Sequence, residues 1–187
     1  MLMDMLSQRL QPSSSPTAPA ASITLYMDGS TKKKTATSVE VGTTINPYYV
    51  ASLSAGSYTY GPATGVTATS YSVTSTGRKT VDGATADTVE DSATTASGSF
   101  ASFVVDDDTN YKLSVSIPHN AGVVANDNLG SPSNPVKQIA AGTKTKDSGA
   151  ITGFRSIFYG YKAGGATLDV ANLTSAQIRA LGNSATT

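Results

Sequence analysis

The chain has 187 residues, and its 13 basic and 13 acidic residues give a formal net charge of zero. A balanced charge excludes a dedicated nucleic-acid-binding protein, because such proteins draw most of their affinity from basic residues that neutralise phosphates. The absence of cysteine excludes disulfides and thiolate metal sites, and a serine and threonine content above a quarter of the chain favours β structure over helix.

The N-terminal part of the sequence predicts an arm and a linker over residues 1–22. Within its first eleven residues, the apolar side chains that fall near helical spacing are Met1, Leu2, Met5, Leu6 and Leu10. A lone helix of this length is marginal in water, so the segment is either a disordered terminus or an arm that docks on a neighbouring subunit. Three prolines over residues 12–21 predict a semi-extended linker. The chain has no apolar run long enough for a transmembrane helix, so no membrane insertion is predicted.

Alternating segments from residue 23 to residue 73 predict the first strands. Residues 23–27 alternate apolar and polar side chains, and Gly42 breaks a second strand over residues 39–45. Residues 52–62 predict a strand that carries Tyr58 and Tyr60 on one face, and residues 66–73 predict another. Residues 77–97 contain almost no large apolar side chains and predict a long loop or an exposed hairpin.

The clearest strand signal follows the turn sequence Asp106–Asp108. Four apolar residues alternate strictly with polar ones over residues 111–117, which predicts a strand with one wet face that Pro118 closes. Residues 119–135 and 141–153 predict polar loops around a short strand at 136–140. The aromatic stretch 154–161 predicts a strand in the middle of the sheet, and residues 173–182 predict a short helix.

These elements predict an all-β fold, namely an Ig-like antiparallel β-sandwich over residues 23–165. The absence of strand–helix alternation argues against a parallel α/β fold. Residues 166–187 predict a C-terminal helical segment, which a longer polypeptide or a partner would complete.

Three groups of residues could carry chemistry, and a plain structural interpretation is favoured for each. His119 is predicted to be an ordinary loop histidine, because nothing around any serine resembles a nucleophile elbow. The run Asp106–Asp108 with Asn110 could bind calcium, but aspartates also form turns. The acids Asp87, Glu90 and Asp91 could act in a glycosidase, yet the chain has no tryptophan platform and no core residues to fix them. We therefore predict no enzyme, no metal site and no cofactor.

Tyrosines are the best candidates for contact with a partner, because tyrosine buries a large area and keeps a polar tip. The alternative is that several of them line the core or a sheet face. Together with the apolar residues of the arm, the predicted interface residues are Tyr58, Tyr60, Tyr159 and Tyr161.

Several segments resemble Ig-like modules in structural proteins of tailed bacteriophages. Residues 39–47 and 55–62 are similar to the opening strands of such modules, and residues 142–146, 151–161 and 173–181 are similar to later segments of them. The resemblance covers roughly residues 23–182 and depends on patterns of glycine, threonine and aromatic residues. It implies a virion location and self-assembly, and it implies no catalytic residue.

The sequence thus predicts a virion structural protein, in the tail, baseplate, fibre or head appendage, that forms homo-oligomers and contacts other virion subunits. The alternative is a receptor- or carbohydrate-binding adhesion module that contacts a host glycan or receptor through loops 77–97 and 119–135. A third hypothesis, ranked last, is an appendage hydrolase that uses the carboxylates near Asp91.

Overall fold

The computed structural model describes residues 16–58, 63–78, 91–123, 125–126, 135–136 and 138–155. Within these ranges the chain is built from strands, and helix is confined to the three-residue 3₁₀ turn Gly29–Thr31. The predicted all-β class is therefore confirmed. The predicted interface residues that lie outside the described residues are Met1, Leu2, Met5, Leu6, Leu10, Tyr60, Tyr159 and Tyr161, and the predicted helix 173–182 lies there too.

Thirteen strands are present in the described ranges. In chain order they are β1 (Ala20–Tyr26), β2 (Ser38–Glu40), β3 (Thr44–Ile45), β4 (Tyr48–Ser54), β5 (Ser72–Thr76), β6 (Ser92–Ala93), β7 (Ser97–Ser99), β8 (Phe103–Val104), β9 (Asn110–His119), β10 (Ala125–Asn126), β11 (Pro135–Val136), β12 (Gly142–Asp147) and β13 (Ile151–Phe154).

The strands form two main sheets. The first has the order β1-β4-β7 and is antiparallel throughout. In the second, β9 is central, with β5 and then β6 on one side and β12 and β13 on the other. The strand β2 pairs with the far side of β13 and runs parallel to it, so one pair departs from the predicted antiparallel arrangement. Two small antiparallel pairs, β3-β8 and β10-β11, complete the described strands.

Both main sheets contribute to one hydrophobic core. In β9 the predicted alternation holds, because Tyr111, Leu113, Val115 and Ile117 are each at most 1% exposed. Residues of β1 and β4, including Leu25 and Tyr49, belong to the same cluster. Burying a large apolar side chain contributes roughly 1.5–3 kcal/mol, so the pattern that the sequence displays is also the main source of stability.

The bounds of three predicted strands are wrong, and a second, smaller hydrophobic cluster explains why. Tyr58, Val66 and Ile139 are buried together, yet all three lie outside strands. The predicted strand 52–62 ends at Ser54, the strand predicted from residue 66 begins at Ser72, and that predicted at 136–140 is limited to Pro135–Val136. The apolar residues in these segments are buried under loops. A local sequence pattern does not distinguish such residues from residues buried in a sheet.

The predicted loops contain further strands. Residues 141–153 contain β12 and all of β13 except Phe154, and residues 77–97 contain β6 and the start of β7. Ile151 is the one large apolar side chain among these strand residues, and the others are polar or small, so the apolar periodicity that identifies a strand is missing. Phe154, predicted to lie in the middle of the sheet, is instead the last residue of β13 and is 46% exposed. Near the start of the described chain, β1 begins at Ala20, although the linker was predicted to extend to residue 22.

Candidate interaction surfaces

The outer face of the second sheet consists of hydroxyl-bearing residues in register. Ser116 of β9 lies between Ser72 of β5 and Thr145 of β12, and Ser114 in turn lies between Thr74 and Asp147. The Ser114 hydroxyl and the Lys112 ammonium group both contact Asp147, and they hold the pKa of that carboxyl below its ordinary value. This face is a polar surface that a partner could cover without burying an unpaired charge.

The outer face of the first sheet has the same character. Ser22 of β1 and Ser52 of β4 lie directly opposite each other, and their hydroxyl oxygens are 2.7 Å apart. Apolar and aromatic residues interrupt the hydroxyl groups, because Val50 lies opposite Thr24 and Tyr26 faces Tyr48. The Lys32 ammonium group lies 5.3 Å from the centre of the Tyr48 ring. Both outer faces therefore offer hydrogen-bonding groups, and the hydrophobic core lies between the two sheets.

The outer edge of β12 is protected against pairing with another strand. Among the described residues β12 pairs only with β9, which places Lys144 opposite Ile117 and Lys146 opposite Val115. Directly opposed residues share a face, so both lysines lie on the core side of the sheet at its rim. A strand added at this edge would bury their charges, and charged residues on the core side are a common protection of sheet edges. Contact with partners through this edge is therefore disfavoured.

An ion pair joins the two ends of the segment between β5 and β6. The Arg78 guanidinium donates to the Asp91 carboxylate at 3.1 Å, and both side chains are only 15% exposed. The Ser75 hydroxyl accepts the Asp91 N–H at 2.7 Å, and the Tyr111 hydroxyl donates to the Asp91 carboxylate at 3.2 Å. Arg78 also lies over the Phe103 ring, 5.4 Å from its centre. This Arg78–Asp91 clasp fixes both ends of residues 79–90 to β5 and β9.

The environment of Tyr111 in the clasp predicts that the folded protein loses stability at alkaline pH. Burial, followed by the charge of Asp91, raises the pKa of Tyr111 well above its ordinary value of 10.0. The unfolded chain would release the phenolic proton near that ordinary value while the folded chain keeps it. This contribution to stability is therefore complete below pH 10.0 and falls as the pH rises above it. The free energy of unfolding, measured by urea titration over this range, should fall less steeply for Tyr111→Phe than for the unchanged protein.

A matched control for that comparison is Ser116→Ala, which removes a hydroxyl that does not titrate from the outer face of β9. Its dependence on pH should follow that of the unchanged protein. Equal slopes for Tyr111→Phe and the unchanged protein would show that Tyr111 does not stay protonated in the fold.

The opposite end of β9 holds His119, which is not the loop histidine that we predicted. It is the last residue of β9 and is 5% exposed. Pro118 lacks only an N–H, and its carbonyl still accepts the Thr69 N–H at 2.9 Å, so pairing continues one residue beyond the predicted end of the strand. Asn120 then connects this end to residues 65–67, because its side chain accepts the Thr67 N–H and donates to the Gly65 carbonyl.

The two loops predicted to contact a host receptor leave the sheet at opposite ends of β9. Gly77 and the clasp lie beside Asn110 and Tyr111, whereas the loop after His119 starts at the other end. Ten residues of strand span about 30 Å at roughly 3.4 Å per residue. The bases of the two loops therefore lie far apart in the sheet.

Other residues that the sequence singled out have structural roles. Tyr58 is 9% exposed and its hydroxyl donates to the Val123 carbonyl at 2.7 Å, so its ring supports the second cluster. The Asp106 carboxylate accepts the Asp108 N–H and the Thr109 hydroxyl, which forms the predicted turn. Asp107 instead faces outward and pairs with Arg155 through contacts of 2.7 and 2.8 Å from Nε. Of the acids proposed for glycosidase chemistry, Asp91 is held in the clasp, and Asp87 and Glu90 lie outside the described residues.

Sequence reasoning missed the roles of Arg78 and Ser75 in the clasp and the burial of His119. The sequence signal for the clasp consisted of Arg78 at the start of the long polar stretch 77–97 and Asp91 before its end. In the part of the chain that the structure describes, no three His, Cys, Asp or Glu side chains gather closely enough to hold a metal ion. Nor does any helix within those residues have the length and hydropathy needed to cross a membrane.

Comparison with known proteins gives no assignment. No family model, no curated protein and no solved structure matches the chain.

Proposed function

We propose that this chain is a non-enzymatic structural module of a bacteriophage virion, with an Ig-like β-sandwich fold, that acts through contacts with other subunits. The alternative, a receptor- or carbohydrate-binding module, loses support because its two loops leave opposite ends of β9.

The strand order supports the Ig-like part of the proposal. Ig domains place strands A, B and E in one sheet and strands C, F and G in the other. The order β1-β4-β7 fits the first set, and β5-β9-β13 fits the second. Tyr111 lies near the start of β9 and two residues before the buried Leu113, which is where Ig domains carry a conserved tyrosine on strand F. Its hydroxyl donates to the Asp91 side chain, whereas the tyrosine of Ig domains bonds to backbone.

The functional part of the proposal depends on where the described charged and hydroxyl groups lie and on what they pair with. The buried acid and base of the clasp are paired with each other, and the outer faces of both sheets present hydroxyl groups in register. Catalysis needs titratable groups that converge on a reacting molecule, whereas an assembly module needs surfaces that a partner can cover around a stable core. The described residues offer polar surfaces over one hydrophobic core, which supports the proposal.

Density-gradient purification of particles tests the virion location. A chain tagged at its C-terminus and expressed from its native gene should band with phage particles and stay with them through a high-salt wash. A host cytosolic protein carrying the same tag serves as the control for adsorption. Recovery of the tagged chain only in the free protein fraction, while particles form normally, would contradict the proposal.

A further inference from the structure

A cavity of about 330 Å³ lies between the segment Pro16–Pro19 and residues 139–144. Its size is at the lower end of the range of roughly 300–1,000 Å³ that is typical of ligand pockets. Most of the lining is apolar and consists of Pro16, Ala18, Pro19, Ile139, Ala140 and Ala141. The remaining lining residues include Gly142 and His119, which face each other across β12 and β9.

His119 gives this cavity an unused hydrogen-bond acceptor. Its Nδ1 lies 2.9 Å from the Asn120 carbonyl oxygen, which can only accept, so Nδ1 carries the hydrogen. In the neutral ring the other nitrogen, Nε2, is an acceptor, and it is buried with no partner among the described residues. Leaving a buried acceptor unsatisfied costs stability, because the atom has lost its hydrogen bonds to water. A side chain at Gly142 would begin 3.6 Å from Nε2, so the missing side chain leaves room beside this atom.

The occupant that best fits the cavity is a segment of this protein. The described chain begins at Pro16, on the rim of the cavity, and fifteen residues precede it. These residues contain six large apolar side chains, which can cover the apolar lining of the cavity, and backbone N–H groups, which can donate to Nε2. Fifteen residues reach at most about 50 Å, far enough to span to a neighbouring molecule.

We propose that the cavity binds the apolar N-terminal segment, residues 1–11, of a second copy of this chain. Proline restricts the residue before it to extended conformations, so Pro12 and Pro16 disfavour the sharp reversal that would return the chain's own arm to a cavity lined by Pro16. The inference deepens the proposed assembly function, because it names the surface that one subunit offers to the arm of the next.

Disulfide trapping tests the proposal, and the chain suits it because it contains no cysteine. One full-length variant carries Ser7→Cys, which keeps every apolar residue of the arm. Another carries Thr143→Cys, at an exposed position on the cavity rim. Mixed and oxidised, the two should give a disulfide-linked heterodimer. The matched control pairs Ser7→Cys with Thr76→Cys, exposed at the opposite end of the sheet, and should yield about tenfold less product, the factor that corresponds to roughly 1.4 kcal/mol.

Further results distinguish the arm of a second copy from the chain's own arm as the occupant of the cavity. Filling the cavity with Gly142→Leu should reduce the cross-link to the level of the Thr76→Cys control, while Gly142→Ala should preserve it. A double variant with Ser7→Cys and Thr143→Cys that closes within one chain, together with no product from the mixed variants, would assign the cavity to the chain's own arm and overturn the proposal. Equal yields at Thr143→Cys and Thr76→Cys would overturn it as well. Because the gradient experiment reads particle association alone, failure of the virion proposal and failure of arm docking give different results.

Discussion

Replacing Gly77 with alanine should destabilise the protein by more than about 3 kcal/mol, because two independent penalties meet at this residue. Gly77 has a φ of +79°, in the left-handed region that favours glycine. A Cβ placed there would also overlap the carbonyl oxygen of Asn110, a backbone atom at the start of β9. That backbone could yield only by disturbing the start of the central strand. Urea unfolding should show a large fall in the midpoint with an unchanged slope.

Substitutions at two other glycines measure the backbone strain and the steric overlap separately. Gly42 has a φ of +90°, and a methyl group added there would meet no atom within 4 Å, so Gly42→Ala should cost only the backbone strain of roughly 1–2 kcal/mol. Gly153 has no such φ, but its Cβ would overlap the carbonyl oxygen of Asp106, so Gly153→Ala isolates the steric penalty. Equal stabilities of Gly77→Ala and Gly42→Ala would mean that the start of β9 adapts freely.

Replacing Leu113 with alanine should cost about 2–5 kcal/mol, because the side chain is fully buried at the centre of the core. The lost transfer free energy and the cavity that remains both contribute to this figure. Since domains are stable by only about 5–15 kcal/mol, the variant should unfold at clearly lower urea concentration or lower temperature.

The adjacent outer face supplies the control for Leu113→Ala. Ser116 lies three residues along the same strand with its side chain on the outer face, so Ser116→Ala should change stability by no more than about 0.5 kcal/mol. A loss at Leu113 as small as that at Ser116 would show that β9 is not the central strand of the core.

Which parts of the fold could be predicted from the sequence depended on how each strand is buried. The strands β1 and β9 were predicted because one face packs in the core and the other meets solvent, so their apolar residues alternate. β12 was missed because it lies at a sheet edge, with the charged residues Lys144 and Lys146 on its core side. Val66 and Ile139 misled the prediction in the other direction, since they are buried under loops.

The candidate surfaces were less predictable, because each one depends on residues far apart in the sequence. Arg78 and Asp91 are separated by a long polar stretch, and only the pairing of β5 with β9 and β6 brings them to Tyr111. His119 was expected in a loop, and it is instead the buried last residue of β9, paired with Gly142 of β12.

Local features of the chain were enough to specify the all-β class, the turn at Asp106–Asp108, the break at Gly42 and the inward face of β9. Each of these follows from backbone preferences or from side-chain periodicity, which act over a few residues. Folding in three dimensions was needed to establish which polar segments pair as strands, which end of β9 each loop leaves, and that His119 faces an apolar cavity with an unused acceptor. Those features depend on hydrogen bonds and packing between distant segments, and local patterns in the chain do not encode the choice of partner.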